Sequence, residues 1–223
     1  MRRTIARELM DDPVDDVAEL EGNLRDIAFA NAVFGGSAPV VRTVRGLGAR
    51  SVLDVGSGAA DVPLALVRDA ERRGVELHVT CLDRSDQMLA IAQARTCRHP
   101  SLAFVRADGD ALPFADGAFD VVTCTLALHH FEPDGAHRLL RELRRVSRLS
   151  PVVCDLRRSP LAFGMTWLWS RTSRNRLTRH DAPLSVRRAY TPGEALALAR
   201  AAGWRAASVR GEPFFRMTLW DAA

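Results

Sequence analysis

Short apolar runs alternate with segments of helical periodicity through the middle of this 223-residue chain. The runs are short enough for buried strands, and the segments between them space apolar residues as amphipathic helices do. Strands are predicted at 51–55, 76–82, 102–106, 119–124 and 151–155, and helices at 60–73, 86–96 and 134–147. Such alternation is typical of a parallel sheet covered by helices on both faces, so we predict an α/β fold.

Residues 1–34 lie ahead of this pattern and are expected to be helical. Asp12-Pro13 is a helix-start signal, and apolar residues follow at helical spacing between Leu20 and Phe34. Gly35-Gly36 is expected to end that helix, and Ser37 to cap a second helix over 38–46.

The alternation breaks after the fifth predicted strand. Residues 160–190 combine aromatic residues with many arginines, and we expect a helical lid over the carboxyl ends of the strands. A capping box at Thr191–Glu194 then starts a helix over 192–202, with strands near 204–210 and 213–219. We predict one domain over 1–223, comprising an N-terminal helical cap (1–46), a ligand-binding core (47–158), the lid (159–190) and a C-terminal helix with strands (191–223).

The stretch from Val52 to Pro63 runs from a strand through two glycines into a helix. Gly56 and Gly58 allow a sharp turn and a close ligand, and such a turn presents free backbone N–H groups. Asp61 stands where the dinucleotide-binding fingerprint has glycine or alanine. Asp54 and Asp61 would repel a pyrophosphate and attract a cationic amino-acid ligand.

Acids also follow the next two predicted strands, at the edge where such sheets bind ligands. Asp83 can accept hydrogen bonds from both hydroxyls of a ribose, and Asp108 from an exocyclic amine such as that of adenine. The fourth strand leads into Thr125-Leu126 and then His129-His130 at the same edge.

Five motifs follow one another between residues 54 and 131: Gly-Ser-Gly-x-x-Asp, Leu-Asp-x-Ser-x-x-Met, Ala-Asp-x-x-x-Leu-Pro-Phe, Phe-Asp-Val-Val and Leu-His-His-Phe. This series resembles the class I S-adenosylmethionine (SAM) methyltransferases of the ubiquinone/menaquinone-biosynthesis and small-molecule type. The resemblance covers about residues 50–155 and implies a Rossmann-like seven-stranded sheet. It departs from the family at Ala60, where many members have a third glycine.

The resemblance implies SAM as the cofactor, S-adenosylhomocysteine as its product, and no metal. It places Asp54 and the two glycines against the methionine part, Asp83 against the ribose and Asp108 against the adenine amine. The predicted cofactor site comprises Asp54, Gly56, Gly58, Asp61, Asp83, Arg84, Met88, Asp108, Gly109, Asp110, Thr125 and Leu126.

Residues 155–192 are similar to methyltransferases found with aromatic polyketide pathways, which implies a phenolic or quinonoid acceptor in secondary metabolism. Aromatic side chains can wall such an acceptor, and arginines can stack on rings or hold a phenolate. The predicted acceptor residues are Arg157, Arg158, Phe163, Trp167 and His180. The alternative interpretation places the tryptophans in the core and the arginines in solvent.

Removing a phenolic proton requires a base or a nearby cation, because the pKa of a phenol is about 10. His130 is our first candidate for this base and His129 the second, since both follow the fourth strand at the ligand-binding edge. A purely structural role for either histidine is the alternative.

All 31 basic residues are arginine, and the absence of lysine excludes Schiff-base, pyridoxal-phosphate and P-loop chemistry. Residues 1–137 hold 14 arginines against 21 acids, whereas residues 138–223 hold 17 against 6. The basic C-terminal third is either a solvated face or a surface for an anionic partner. The four cysteines show no metal-binding spacing, and no run of about 18 apolar residues predicts a membrane span.

Three rival functions remain open. An RNA or DNA methyltransferase would use the arginine-rich C-terminal third, although no Pro-Pro motif follows the fourth strand. A SAM-binding protein without catalysis would act as a partner subunit. A nicotinamide-dependent dehydrogenase shares this fold but suits the acids at 54 and 61 less well. We expect a cytoplasmic protein that acts on a small molecule, as a monomer or a homodimer.

Overall fold

The computed structural model describes residues 1–221, which form a seven-stranded sheet flanked by helices. The strands are β1 (Ser51–Val55), β2 (His78–Asp83), β3 (Leu102–Arg106), β4 (Phe119–Thr125), β5 (Ser147–Leu156), β6 (Ala207–Glu212) and β7 (Arg216–Asp221). The helices are α1 (Val17–Val33), α2 (Ala38–Gly46), α3 (Asp61–Arg72), α4 (Asp86–Arg95), α5 (Pro133–Val146), α6 (Pro160–Ser170), α7 (Arg176–Arg188) and α8 (Pro192–Ala201). Two short 3₁₀ turns occupy Leu9–Asp11 and Leu128–His130.

The strand order across the sheet is β3-β2-β1-β4-β5-β7-β6. The first five strands are parallel, and β7 pairs antiparallel with both β5 and β6. This arrangement confirms the predicted α/β, Rossmann-like methyltransferase fold. Because β1 and β4 lie side by side at the centre, the segments that follow them meet at one point of the carboxyl edge.

Apolar side chains are buried on both faces of the sheet, as the alternation predicted. One core packs α5 and α8 against the sheet, and Trp204 Nε1 there donates a hydrogen bond to the Leu140 carbonyl oxygen (2.9 Å). The other core packs α2 and α3 against the opposite face. Strand β6 starts at Ala207, three residues later than predicted, and the buried Trp204 precedes it.

One predicted helix start and one predicted helix cap are wrong, although α2 spans 38–46 as predicted. Helix α1 begins at Val17 and is capped by Asp16, whose side chain accepts a hydrogen bond from Glu19 N (3.0 Å), so Asp12-Pro13 precedes the helix. The chain ahead of α1 turns instead at Leu9–Asp11, where it is bound to α7. Ser37 stands at the N-cap of α2, but its side chain makes no capping hydrogen bond.

The segment between β5 and α8 is helical, as predicted, and folds as two helices. Ser159 caps α6 by accepting a hydrogen bond from Ala162 N (3.0 Å), and Asn175 caps α7 through Thr178 N (3.2 Å). Helix α7 packs against α1 and the Leu9–Asp11 turn. Within residues 1–221, the helices fall short of the length and apolar character needed to cross a bilayer.

The charge imbalance along the sequence is partly offset by ion pairs in the fold. Arginines of the C-terminal third form ion pairs with acids of the first two thirds, namely Arg138–Asp110, Arg145–Asp116, Arg148–Asp120, Arg176–Glu19 and Arg188–Asp11. The basic third therefore presents less free positive charge than its sequence suggests.

Candidate functional site

A cavity of about 1610 Å³ runs along the carboxyl edge of the sheet. Asp108 and Asp83 line one end, Gly56 and Thr125 the middle, and Leu156 and Arg216 the other end, following the strand order. Sites for a single small ligand usually measure about 300–1,000 Å³. The cavity therefore has room for a cofactor together with a second small molecule.

All fourteen residues predicted to bind the cofactor or to act in catalysis lie in the lining of this cavity. The loops after β1, β2, β3 and β4 bring them together, because parallel neighbouring strands end at one edge. Their individual binding roles stay predictions.

The glycine turn is fixed by its backbone geometry. Gly56 has a φ of +73°, and a Cβ atom there would lie 2.9 Å from the Ala127 Cβ. A larger residue would therefore be strained and would also collide with the segment after β4. The turn has fewer free backbone N–H groups than predicted. Gly56 N and Ser57 N donate to the Leu82 carbonyl oxygen, and Gly58 N donates to Asp83 Oδ2.

The two acids of the turn have different surroundings. Asp54 is only 2% exposed and accepts a hydrogen bond from Thr123 Oγ1 (2.6 Å). Burial raises the pKa of Asp54 to about 6, although the hydrogen bond from Thr123 opposes the rise. Asp61 is half-buried and forms an ion pair with Arg95 (3.0 Å), which reduces its predicted attraction for a cation.

Asp83 ties the first two loops together. Its Oδ2 accepts from Gly58 N (2.9 Å) and its Oδ1 from Ser85 N (3.0 Å), so each oxygen has a lone pair left for a ligand. Ser85 caps α4 as predicted, accepting from Met88 N (3.3 Å). On the neighbouring loop after β3, Asp110 is held by Arg138 (3.1 Å).

Each histidine of the Leu128–His130 turn is paired with a carboxylate. His129 is buried, and its Nδ1 lies 2.7 Å from Asp155 Oδ1. His130 is about one-third exposed, and its Nδ1 lies 2.8 Å from Asp11 Oδ1. Burial tends to raise the pKa of Asp11, but hydrogen bonds from His130 and Arg188 outweigh it and hold that pKa well below its ordinary value. In a neutral imidazole ring, an ionised Asp11 fixes the His130 Nδ1 as the donor, and Nε2 is then the acceptor.

The N-terminal segment, residues 1–14, is part of the site, which sequence reasoning missed. Leu9 N and Met10 N donate to the carboxylate of Asp181 on α7 (2.8 and 3.1 Å), and Arg84 Nη2 donates to the Asp11 carbonyl oxygen (3.0 Å). These contacts place Glu8 and Asp11 beside the histidines. Their sequence signal was only a cluster of acids, because the partners lie on distant parts of the chain.

Glu8, His129 and His130 offer three potential metal-ligand atoms within 4.8 Å of one another. The Arg188 guanidinium lies 3.7 Å from Glu8 Oε1 and pairs with Asp11 (2.6 Å), so a positive charge already faces this cluster. We therefore interpret the cluster as a hydrogen-bonding and charge network, and the expectation of no metal stays a prediction.

Four buried side-chain atoms among the described residues have no hydrogen-bond partner: Glu8 Oε1, Asn23 Oδ1, Thr125 Oγ1 and Arg216 Nη1. All four residues line the cavity. Buried polar groups are normally paired, and each unpaired one costs about 1–3 kcal/mol. These four atoms therefore remain available to a polar ligand or to water in the cavity.

The five residues predicted to contact the acceptor lie outside the cavity lining. Arg158 is structural, since it donates to the Ala189 carbonyl oxygen (2.8 Å) and pairs with Glu194 (2.6 Å). The other four have surface or packing contacts: Arg157 lies over the Phe215 ring, Trp167 is exposed beside Arg171, Phe163 is half-buried and His180 pairs with Asp181. Trp169, two residues after Trp167, lines the cavity instead.

The middle of the chain is similar to known methyltransferases. Residues 52–149 match the family described as "Methyltransferase domain". Demethylmenaquinone methyltransferase of Thermotoga maritima is 35% identical over 107 residues, which are 48% of this chain and 43% of the relative. The enzyme of the same name from Beutenbergia cavernae is 38% identical over 125 residues, 54% of this chain and 48% of the relative. The chain therefore matches less than half the length of these curated relatives.

Solved structures of similar fold cover nearly all of the chain. The apo form of the SAM-dependent methyltransferase SibL has a TM-score of 0.68 at 20% identity, covering 100% of this chain and 62% of that protein. Human N-acetylserotonin methyltransferase, solved with SAM, has a TM-score of 0.67 at 16% identity, covering 99% and 62%. At these identities the likeness shows the fold.

Proposed function

From the premise that residues 52–149 belong to the class I, SAM-dependent methyltransferase family, we propose that this chain methylates a small aromatic acceptor, phenolic or quinonoid. One observation carries the proposal: a single cavity, too large for one small ligand, holds the four unpaired buried polar atoms. The demethylmenaquinone methyltransferases that it resembles are named for a quinone acceptor.

The residues at the β1–β3 end of the cavity fit SAM. Asp83 retains lone pairs for ribose hydroxyls, and the buried Asp54 offers a carboxylate to the cationic methionine part. The glycine turn lets the backbone come close to the cofactor. SAM supplies an activated methyl group, which leaves with the C–S bonding electrons remaining on sulfur, so the protein contributes chiefly by positioning.

His130 is the proposed base for a phenolic acceptor. With Nδ1 donating to Asp11, its Nε2 can take the hydroxyl proton while the phenolic oxygen forms the new bond to the methyl carbon. His129 is less suited to this role because it is buried and bound to Asp155. We assign it the positioning of His130, whose ring centroid lies 4.3 Å away.

A nucleic-acid acceptor is less well supported. Ion pairs with acids of the first two thirds offset part of the positive charge in the C-terminal third, including that of Arg145 and Arg176. A salt-dependent gel shift would test this rival directly. A non-catalytic SAM-binding role differs from our proposal only in lacking turnover.

The first test is calorimetric titration of the purified protein with S-adenosylhomocysteine and, separately, with NADH. We expect micromolar binding of the former, none of the latter, and at least about tenfold weaker binding by Asp83→Ala, since hydrogen bonds to a charged group contribute about 1.5–3 kcal/mol. Glu76→Ala, which removes an exposed acid outside the cavity, is the control that should bind normally.

Two outcomes would contradict the proposal. If folded wild-type protein fails to bind S-adenosylhomocysteine, the cofactor assignment is wrong. If it binds but no phenol or quinol gains 14 daltons by mass spectrometry, the non-catalytic alternative is favoured. Because Asp83 also holds Gly58 and Ser85, the melting temperature of Asp83→Ala must be compared with that of Asp83→Asn.

A further inference from the structure

Arg216 is a buried arginine without an acidic partner. Three arginines among residues 1–221 are less than one-tenth exposed, and two of them form 2.6 Å ion pairs, Arg158 with Glu194 and Arg188 with Asp11. Arg216 is 5% exposed, yet within the described chain no carboxylate oxygen lies within 4.0 Å of its guanidinium. Its Nη2 donates to Asn31 Oδ1 (2.9 Å), and its Nη1 has no partner.

This arginine lies at the end of the cavity opposite the glycine turn. It is the first residue of β7 and pairs in the sheet with Leu156, the last residue of β5, which also lines the cavity. Three aromatic side chains surround this end: the Phe34 ring lies 6.3 Å from Trp169 and 5.1 Å from Phe214. Three aromatic side chains and one buried guanidinium therefore line the same cavity.

The backbone is strained immediately before Arg216. Phe214 and Phe215, immediately before Arg216, have φ values of +55° and +58°, a region that bulky residues rarely adopt. Such strain is often retained at ligand-binding positions. Phe214 is also more than half exposed, so burial of its own side chain does not compensate for the strain.

A buried guanidinium needs an opposing charge. Arginine does not lose its proton in proteins, and a buried charge without a partner is costly. Burial lowers the pKa of Arg216, and the nearby Cys154 and Asp155 oppose that shift; the Asp155 carboxylate is already bound by His129. The place of a negative charge in direct contact with Arg216 Nη1 is therefore left to a molecule in the cavity.

We propose that the methyl acceptor is an aromatic acid whose carboxylate accepts a hydrogen bond from Arg216 Nη1. This inference rests on the proposed function and narrows its acceptor class. A carboxylate is favoured over a phenol as the group bound here because it is fully ionised at neutral pH, whereas a phenol with a pKa near 10 is neutral. The aromatic ring of the acceptor would pack among Phe34, Trp169 and Phe214.

The test compares acids with their neutral esters. Protein saturated with S-adenosylhomocysteine is titrated by calorimetry with 4-hydroxybenzoate, salicylate and 1,4-dihydroxy-2-naphthoate, and with the methyl ester of each. We expect at least one acid to bind at least about tenfold more tightly than its ester, as for a charge-assisted hydrogen bond. In Arg216→Gln that preference should be lost, and in Arg216→Lys it should be partly retained.

Arg205→Gln is the matched control, since it removes one positive charge from an exposed position outside the cavity. It should keep the wild-type preference for the acid. If Arg216→Gln does not fold, the comparison of acid and ester on wild-type protein still decides the question.

The proposal is overturned if the esters bind as tightly as the acids, if no acid binds, or if folded Arg216→Gln keeps the preference. Each of these results requires that S-adenosylhomocysteine binds normally. Failure of that first ligand to bind would count instead against the proposed function.

Discussion

The two ends of the cavity are built in different ways. The cofactor end comes from loops that directly follow β1 to β4, within the continuous stretch 54–126, and its key groups are backbone turns and acids. The acceptor end draws on the N-terminal segment, α1, α6, α7 and β7, which are far apart in sequence. The first end is encoded by local motifs and the second by tertiary packing, so sequence variation can change the acceptor without disturbing the cofactor site.

A substitution at His130 should impair turnover at the acceptor end and leave binding at the cofactor end unchanged. We expect His130→Ala to lower kcat by at least about 100-fold with a phenolic acceptor that the wild type methylates, since general bases contribute about 10²–10⁴-fold. The Kd for S-adenosylhomocysteine should change little, because His130 belongs to the acceptor end. Turnover is measured by mass spectrometry at saturating acceptor, and binding by calorimetry.

The control for this variant is His137→Ala, a half-buried histidine on α5 that lies outside the cavity, which should leave both quantities unchanged. Near-normal turnover by His130→Ala would rule out the base and leave positioning as sufficient. Equal losses of turnover and cofactor binding would show that the two ends are not separable.

A substitution at Gly56 should instead impair ligand binding at the cofactor end. We expect Gly56→Val to weaken S-adenosylhomocysteine binding by about 100-fold, since it combines strain at φ +73° with a Cβ 2.9 Å from Ala127. Calorimetry measures the loss, and the melting temperature reports the accompanying destabilisation.

Gly164→Val is the control for this variant. Gly164 lies on α6, is exposed, and has open space where a Cβ would be added. Binding that survives in folded Gly56→Val would mean that the turn is not in contact with the ligand.

The same division explains what could be predicted from sequence. The glycine turn, the acids at strand ends and the alternation of strands and helices are local patterns; they predicted the sheet correctly, and the residues predicted to bind the cofactor lie in the lining of the cavity. Arg216 carries no such signal, because only the pairing of β7 with β5 brings it to the cavity. Glu8 and Asp11 likewise depend on the contact between the N-terminal segment and Asp181.

The predicted acceptor residues were misplaced for a physical reason. Arginines and aromatic residues were chosen by composition, but the faces of α6 and α7 are set by packing against α1 and each other. A shift of two positions along α6 separates the exposed Trp167 from Trp169 in the cavity. Helical spacing alone did not determine which face turns inward, since the helix is apolar nearly all round.

Asp54 offers a smaller but quantitative test of the cofactor end. Burial raises its pKa from the ordinary 3.8 to about 6, so the folded free protein binds more protons than the unfolded chain between about pH 4 and pH 6. Its contribution to stability therefore falls as pH rises through that window and is constant above it. The ammonium group of a bound ligand favours the ionised form of Asp54. At about pH 5, Asp54 is ionised in only about one-tenth of the free protein.

Affinity for S-adenosylhomocysteine should consequently rise about tenfold between about pH 5 and pH 7, and Asp54→Asn should remove that dependence. Methylthioadenosine, which lacks the amino-acid part, is the control ligand and should bind with little pH dependence to both proteins. The variant should also gain stability relative to wild type as pH rises from about 4 to 6, because its amide cannot ionise. A pH dependence that persists in Asp54→Asn would assign the titration to another group and remove Asp54 from contact with the ligand's ammonium group.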